Sequence, residues 1–362
     1  MTTSSSLAII AALSLTGDDM DYVWKLSDLK TVIPNGRKVF SCFSCGGGSS
    51  MGYKRAGYEV IGNCEIDEKI NQMYVKNFHP RYNYRMSIED LPKLEEFPEE
   101  MLDLDILDGS PPCSTFSMAG KREADWGRKK KFREGQAEQV LSDLFFDYIN
   151  VAKRLQPKVV VAENVKGLIL GAAKGYMNLI LKKYDEAGYV CQVFLLNSAT
   201  MGVPQTRERV FIIARRKDLN YPRLKLEFNE APIPYGVFAE KEGKPINPAS
   251  TLYRRWTRRS NEDNSVGDTV LRTENGKISS FTSPYIKRNE VCNTLTSGGQ
   301  YVRFDIPATI SERDMKCIQT FPQDYDFNGN DVQYVCGMSV PPIMMEKIAR
   351  AIYEQWLKVE TP

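Results

Sequence analysis

The sequence predicts an α/β protein: a doubly wound, mostly parallel sheet joined to a smaller irregular domain. Three observations carry this. Strand-like and helix-like segments alternate from about Lys38 to Arg215, the pattern that builds parallel sheets through crossover helices. Three glycines, Gly46–Gly48, directly follow the first strand-like run. The alternation then stops near Lys217, where Pro, Asn, Ser and charged residues take over.

Taken in order, Lys38–Ser44 is a short apolar run halted by the glycines, and a helical pattern follows to Ala56. Tyr58–Ile66 reads as a second strand and Asp67–Phe78 as a second helix. Leu104–Leu107 is a strand that runs into Asp108-Gly109-Ser110-Pro111-Pro112-Cys113. Glu138–Leu155 is helical, Pro157–Val165 a buried strand, and Gly175–Ala187 a helix ended by Gly188. Tyr189–Leu196 and Arg209–Arg215 close the series. Helical periodicity returns at Ser311–Gln319, and Pro342–Trp356 forms a final amphipathic helix. The expected domains are an N-terminal extension (1–36), a sheet domain (37–216), a smaller domain (217–328) and a segment completing the sheet domain (329–362).

At 362 residues and 42% apolar composition, the chain can bury a large core and a small one. A net charge of only +2 means that any nucleic-acid footprint must be local. Eight cysteines without framework spacing suit a reducing cytoplasm, the expected location. Cys42-Phe43-Ser44-Cys45 is a lone CxxC in a chain with one histidine, His79, so no metal site is expected. Leu7–Leu15 is too short to span a bilayer and lacks a basic flank, so no membrane association is expected.

Five groups of residues carry possible chemistry, each beside a plainer reading. The Gly46–Gly48 turn lets backbone N–H groups approach a ligand at a helix start, and Glu65 ends the next strand, where a carboxylate can hold ribose hydroxyls. A tight turn near a surface acid is the plain alternative. Pro111-Pro112 stiffens a loop that presents Cys113, a potential nucleophile where its thiol is activated, or else a small core residue. Glu163 emerges from a very apolar strand, where desolvation favours a proton-donating form; a loop cap is the alternative. Arg207 and Arg209 are two apart on an extended segment, suited to a ring carbonyl or to ordinary salt bridges. Lys121, Arg122, Lys129 and Lys130, interleaved with Trp126 and Phe132, suit phosphate contact or a solvated loop. Arg254, Arg255, Arg258 and Arg259, around Trp256, have the same character.

The order of these groups resembles that of the bacterial and phage C5-cytosine DNA methyltransferases, from about residue 38 to the C-terminus. Phe43–Gly57 is similar to the family's cofactor loop, Pro111-Pro112-Cys113 to its PCQ-type motif and Glu163-Asn164-Val165 to its ENV motif. Gln205–Arg209 matches QxRxR, Ser311–Pro322 resembles a late motif and Gly337–Pro342 the GNSVPP element. The resemblance implies a Rossmann-like S-adenosylmethionine-dependent fold with a target-recognition domain. It also implies cofactor contacts from Phe43, Ser44, Gly46, Gly47, Gly48, Glu65, Ile66, Ser87, Ile88, Pro112, Leu144, Ser339 and Val340. Four positions depart from the pattern: Ser41 stands where the family usually has an acid, Cys45 replaces the first glycine, Ser87-Ile88 replaces an Asp-Ile pair, and Met338 replaces an Asn.

The implied activity is DNA cytosine-5 methylation on duplex DNA by a monomer, serving a restriction-modification system with a separate endonuclease, or phage self-protection. Cys113 attacks C6 of a flipped cytosine, with Glu163 at N3, Arg209 at O2 and Arg207 in support. Ser117, Lys121, Arg122, Lys129 and Lys130, together with Arg254, Arg255, Arg258 and Arg259, are the implied DNA contacts. An RNA cytosine methyltransferase, a catalytically silent DNA-binding homologue and, from the glycine loop alone, a Rossmann-type oxidoreductase are the alternatives.

Overall fold

The computed structural model describes residues 22–112, 129–130, 139–140, 144–171, 173–274 and 282–358. The chain divides into two compact units. The sheet unit takes Leu29–Asn197, Glu208–Phe228 and Met344–Pro362; the second takes Met1–Asp28, Ser198–Arg207 and Asn229–Ile343. Residues 198–207 and 329–343 therefore group with the second unit, whereas the sequence pattern assigns both to the sheet domain. The reason is long-range pairing: Gln205–Thr206 pairs with Cys292–Asn293, and the Gln205 amide bonds Ile318 O, Gln319 and Leu295 N–H.

Seven strands form the main sheet: β1 (Lys38–Cys42), β2 (Glu59–Cys64), β3 (Tyr82–Tyr84), β4 (Ile106–Gly109), β5 (Val159–Val165), β6 (Tyr189–Asn197) and β7 (Glu208–Arg216). Their order is β3-β2-β1-β4-β5-β7-β6. All pairs are parallel except those made by β7, which runs antiparallel between β5 and β6. The order reverses between β1 and β4, a switch point whose crevice at the strand carboxyl ends is where such sheets bind ligands.

Alternation within each strand sends one set of side chains to each face. Phe40, Cys42, Leu107, Val160, Ala162 and Ile212 meet Phe145, Tyr148 and Ile149 of α3 (Leu144–Leu155) and Tyr176, Ile180 and Tyr184 of α4 (Ala173–Glu186), all essentially buried. Toward the opposite face lies α1 (Gly48–Arg55), joined to α2 (Glu68–Phe78) by the Ser50–Tyr74 hydroxyl contact. The Tyr148 hydroxyl lies within reach of both Leu107 O (2.9 Å) and Val161 O (2.8 Å), tying α3 to β4 and β5.

The second unit has a small sheet of β8 (Lys244–Pro245), β9 (Tyr285–Ile286), β10 (Val302–Arg303) and β11 (Ala308–Thr309), in the order β8-β11-β10-β9. Around it lie α5 (Thr251–Thr257), α6 (Val266–Glu274), α7 (Glu312–Gln319) and α8 (Val332–Met338). Ser311 starts α7 with a reciprocal cap to Asp314. Finally, α9 (Pro342–Ile352) returns the chain to the sheet unit, where Glu346 pairs with Arg55.

Two local expectations change. β3 carries no apolar run to announce it: its three residues are Tyr-Asn-Tyr at the sheet edge. Gln139–Val140, expected to be helical, instead pair antiparallel with Lys129–Lys130. Among the described residues no helix is long and apolar enough to cross a membrane.

Gly47 has φ +72°, and a Cβ there would sit 2.2 Å from the Phe78 ring. Gly47→Ala is therefore expected to cost about 2–3 kcal/mol in urea unfolding, through left-handed strain and overpacking together. Gly175→Ala, in open space on α4, is expected to be neutral or to stabilise by roughly 0.5–1 kcal/mol.

Candidate active site

The loop after β1 is built from unusual backbone. Phe43 (φ 53°) and Cys45 (φ 43°) join Gly47 in the left-handed region, at a cost of roughly 1–2 kcal/mol for each non-glycine residue. Such strain persists only where surrounding bonds enforce it, and here they do. Gly47 N–H donates to Ser44 O (2.7 Å) and Cys45 N–H to Glu65 Oε2 (3.0 Å). The left-handed angle at Cys45 also explains why a glycine suits that position. Gly47 caps α1 without a side-chain bond, so the first-turn N–H groups of α1 receive no side chain from their cap.

Glu65 follows β2 and is half-buried; its Oε1 accepts from Asp67 N–H (3.0 Å). Burial raises its carboxyl above the ordinary range, against the opposing pull of the Asp67, Cys45 and Ile66 N–H groups. Ile66 is partly exposed. Ser44 is buried, and its Oγ accepts from Asn63 Nδ2 (3.2 Å). The Phe43 ring lies 6.3 Å from that of Tyr148. Ser87 and Ile88 follow β3, Ile88 buried and Ser87 partly so; Pro112 is partly exposed and Leu144 buried at the start of α3. Gly46 and Gly48 complete the loop.

Two residues that no motif singles out sit directly beneath this loop. Asn63, Ser41 and Asp108 occupy facing positions on β2, β1 and β4, and all three are buried. Ser41 Oγ donates to Asp108 Oδ2 (3.1 Å) and Tyr53 OH to Asp108 Oδ1 (3.4 Å). Burial pushes the Asp108 carboxyl up to about 7, against the hydroxyls of Ser41, Tyr53 and Ser49. Asn63 Oδ1 has no partner among the described residues. An acid inside an apolar strand, Asp105-Ile106-Leu107-Asp108, was the available signal.

Glu163 and Arg209 meet at the far end of β5. Phe211 faces Glu163 and Arg209 faces Val165 across the β5–β7 ladder, so Arg209 reaches diagonally and its Nε lies 3.0 Å from Glu163 Oε1. Glu163 is 9% exposed and therefore keeps a little open surface. Arg209 also donates to Glu208 O (2.8 Å). Asn164 Nδ2 donates to Pro111 O (2.9 Å), anchoring the loop that leads to residue 113. Cys113, Ser117, Lys121 and Arg122 lie outside the described residues, and of Lys129 and Lys130 only the backbone pairing is described.

Arg207 belongs to the second unit and has a different duty. It is buried and donates to Leu295 O (3.0 Å), Gly337 O (3.0 Å) and Ser339 O (3.1 Å). Ser339 and Val340 are buried in the same unit, and Ser339 Oγ donates to Val335 O (2.8 Å). The basic tract also splits. Arg255 pairs with Glu274 (2.9 Å), and Arg259 stacks 3.5 Å over Trp256 while donating to Phe304 O. Arg254 and Arg258 are exposed and make no side-chain hydrogen bond or ion pair among the described residues. A cleft in this unit, lined by Lys244, Asn247, Gln300, Tyr301, Asp331 and Gln333 among others, corresponds to no motif.

Comparison with known proteins agrees with this architecture. The chain is 31% identical over 260 residues to the type II methyltransferase M.FnuDI of Fusobacterium nucleatum, covering 70% of this chain and 67% of that protein. It is 28% identical over 351 residues to M.NgoPII of Neisseria gonorrhoeae, covering 88% and 96%. A DNA modification methyltransferase encoded within an Escherichia coli prophage shares the fold, with TM-score 0.64, 19% identity and coverage of 88% and 99%. So does Spodoptera frugiperda DNMT2, with TM-score 0.61, 18% identity and coverage of 88% and 100%. Residues 37–354 match the model of the C-5 cytosine-specific DNA methylase family, and the chain belongs to that family.

Proposed function

We propose that this protein methylates C5 of a cytosine within a specific duplex DNA sequence, using S-adenosylmethionine, in restriction-modification or phage self-protection. The observation that carries the reading is the Glu163–Arg209 pair, held 3.0 Å apart at the end of β5, beside the anchored loop that precedes Cys113. A ring seated there would meet an acid and a guanidinium from one side.

The residues present fit the cofactor. Gly47 holds the left-handed turn of the loop where a Cβ would strike the Phe78 ring, Glu65 offers a carboxylate beyond β2, and Asn63 Oδ1 is a buried acceptor without a partner among the described residues. Phe43, Ser44, Gly46–Gly48, Glu65, Ile66, Ser87, Ile88, Pro112 and Leu144, all in the sheet unit, would hold it. When bound, the cofactor supplies an electrophilic methyl carbon.

The chain's own part is to make cytosine C5 nucleophilic. C6 is inaccessible inside a stacked duplex, so the base is flipped. The Cys113 thiolate adds to C6 and leaves C5 enamine-like. Glu163 at N3 and Arg209 at O2 stabilise the charge that develops on the ring. Arg207 has a supporting role within its own unit, where it holds Leu295, Gly337 and Ser339. Once C5 carries its methyl group, loss of the C5 proton to solvent re-forms the C5–C6 double bond and breaks the C6–S bond, expelling the Cys113 thiolate. The protein acts as a monomer, with any cognate endonuclease a separate molecule. Phosphates are met by Arg254 and Arg258 and by the basic segment after Cys113, which includes Lys121, Arg122, Lys129 and Lys130, with Ser117 before it.

Base-resolution mapping of DNA from cells expressing the protein is expected to show 5-methylcytosine in one short sequence, abolished by Cys113→Ala. Modified adenine, marking confined to RNA, or unchanged marking by the alanine variant would refute the reading. The two arginines should part company. Arg209→Lys is expected to lower kcat about 100- to 1000-fold with little change in unfolding. Arg207→Lys is expected to cost roughly 2–4 kcal/mol of stability, because buried carbonyls lose their donor. Replacing Arg254 and Arg258 together by Ala should weaken DNA binding and reduce the salt slope by about 2, measured by fluorescence anisotropy across a salt series.

A further inference from the structure

We propose that Asp108 is the acid that sets the shape of the cofactor loop, a positioning residue on β4 supplying the carboxylate that β1 lacks at Ser41. The inference rests on the cofactor reading above.

Asp108 is 2% exposed, and no lysine or arginine pairs with it among the described residues. A buried carboxylate without a cation is costly unless donors surround it. Its donors are hydroxyls: Ser41 on β1 (3.1 Å), Tyr53 on α1 (3.4 Å), and Ser49 in the first turn of α1. Two of the three lie on α1, which begins at the last of the three glycines. The charged carboxylate accepts from all of them, whereas a neutral carboxyl has a proton of its own to place and gives up acceptor capacity. The charged form therefore fastens α1, and the loop before it, to the switch point between β1 and β4.

The same geometry accounts for Ser41. Position 41 faces position 108 directly across the β1–β4 ladder, and like charges at facing positions repel. An acid at 108 thus disfavours an acid at 41 and favours a small hydroxyl donor there. One position further along the same row, Asn63 is completely buried with Oδ1 unpartnered. The row therefore holds a carboxylate without a cation and an amide oxygen without a donor, both suited to a ligand that brings positive charge and N–H groups.

The titratable and polar groups on the same side of the sheet as Asp108 are Ser41 on β1, Ser49 and Tyr53 on α1, Tyr74 on α2 and Glu163 on β5, and Cys42 and Tyr148 interact with it from across the sheet. None is a cation. Burial holds the carboxyl near 7 against an ordinary 3.8. The folded state consequently carries an extra proton between these values, and this group's contribution to stability falls as pH rises through that window. A cationic ligand favours the charged form, so its affinity rises as pH passes through about 7.

The test is calorimetric titration of the full chain with S-adenosylmethionine between about pH 6 and pH 8, repeated in two buffers of different ionisation heat. Wild type is expected to gain up to about tenfold in affinity per pH unit below the midpoint, and to release a fraction of a proton on binding. Asp108→Asn should bind roughly tenfold more weakly at pH 8 with a flat profile. Ser41→Asp alone should weaken binding, and the exchange Ser41→Asp with Asp108→Ser should restore it. A flat wild-type profile without proton release would overturn the proposal using the natural protein alone. A slope retained by Asp108→Asn, with only lower thermal stability, would reduce Asp108 to a packing role and overturn it equally. Absence of binding at every pH would remove the cofactor reading and this inference together, a result distinct from binding that ignores pH.

Discussion

The site depends on one register: the antiparallel seating of β7 between β5 and β6. With Phe211 opposite Glu163 and Arg209 opposite Val165, the guanidinium and the carboxylate project from the same face and meet diagonally. A slip of one residue would turn every β7 side chain to the other face, moving Arg209 into the α3–α4 core. The buried run Val210–Ala214 is apolar throughout and would not by itself choose between faces. The Arg209–Glu163 pair does, because Arg209 turned into the core would be buried without its partner.

A second constraint lies beneath the cofactor loop. Parallel sheets are covered on both sides and usually carry apolar strands. Here the face beneath α1 carries Asn63, Ser41 and Asp108 across three neighbouring strands. The loop above holds two non-glycine residues in left-handed backbone. Both features run against the stability of an idealised fold, and both sit at the switch point where ligands bind. Local departures from good packing concentrate where a protein does chemistry.

How much of this was legible follows from how local each feature is. The strands β1, β2, β4, β5, β6 and β7 announce themselves as apolar runs, and the glycine turn follows from three adjacent letters. The Glu163 and Arg209 positions are legible through motif order, because Glu-Asn-Val and Gln-x-Arg-x-Arg each keep their spacing in one short segment. β3 was not legible, since Tyr-Asn-Tyr has no apolar run. Neither was the row of Asn63, Ser41 and Asp108, which exists only once three strands are aligned. The basic tract around Trp256 was visible, but not that Arg255 and Arg259 are engaged internally by Glu274 and by the Trp256 and Phe304 rings. Arg207 and Arg209 look equivalent on the page because alternation gives them one side; distant carbonyls decide otherwise.

That last division bears on how such proteins could be recombined. Five consecutive residues serve two bodies: Gln205 and Arg207 grip partners near 295, 319 and 337, while Arg209 answers to the sheet. Grafting another enzyme's second unit as a single block from 229 to 343 would leave those grips facing foreign surfaces. A transplant that respects the wiring must carry the short stretch 198–207 along with the block and make its joint between 207 and 208. One joint between the two units thus cuts through the five-residue signature itself.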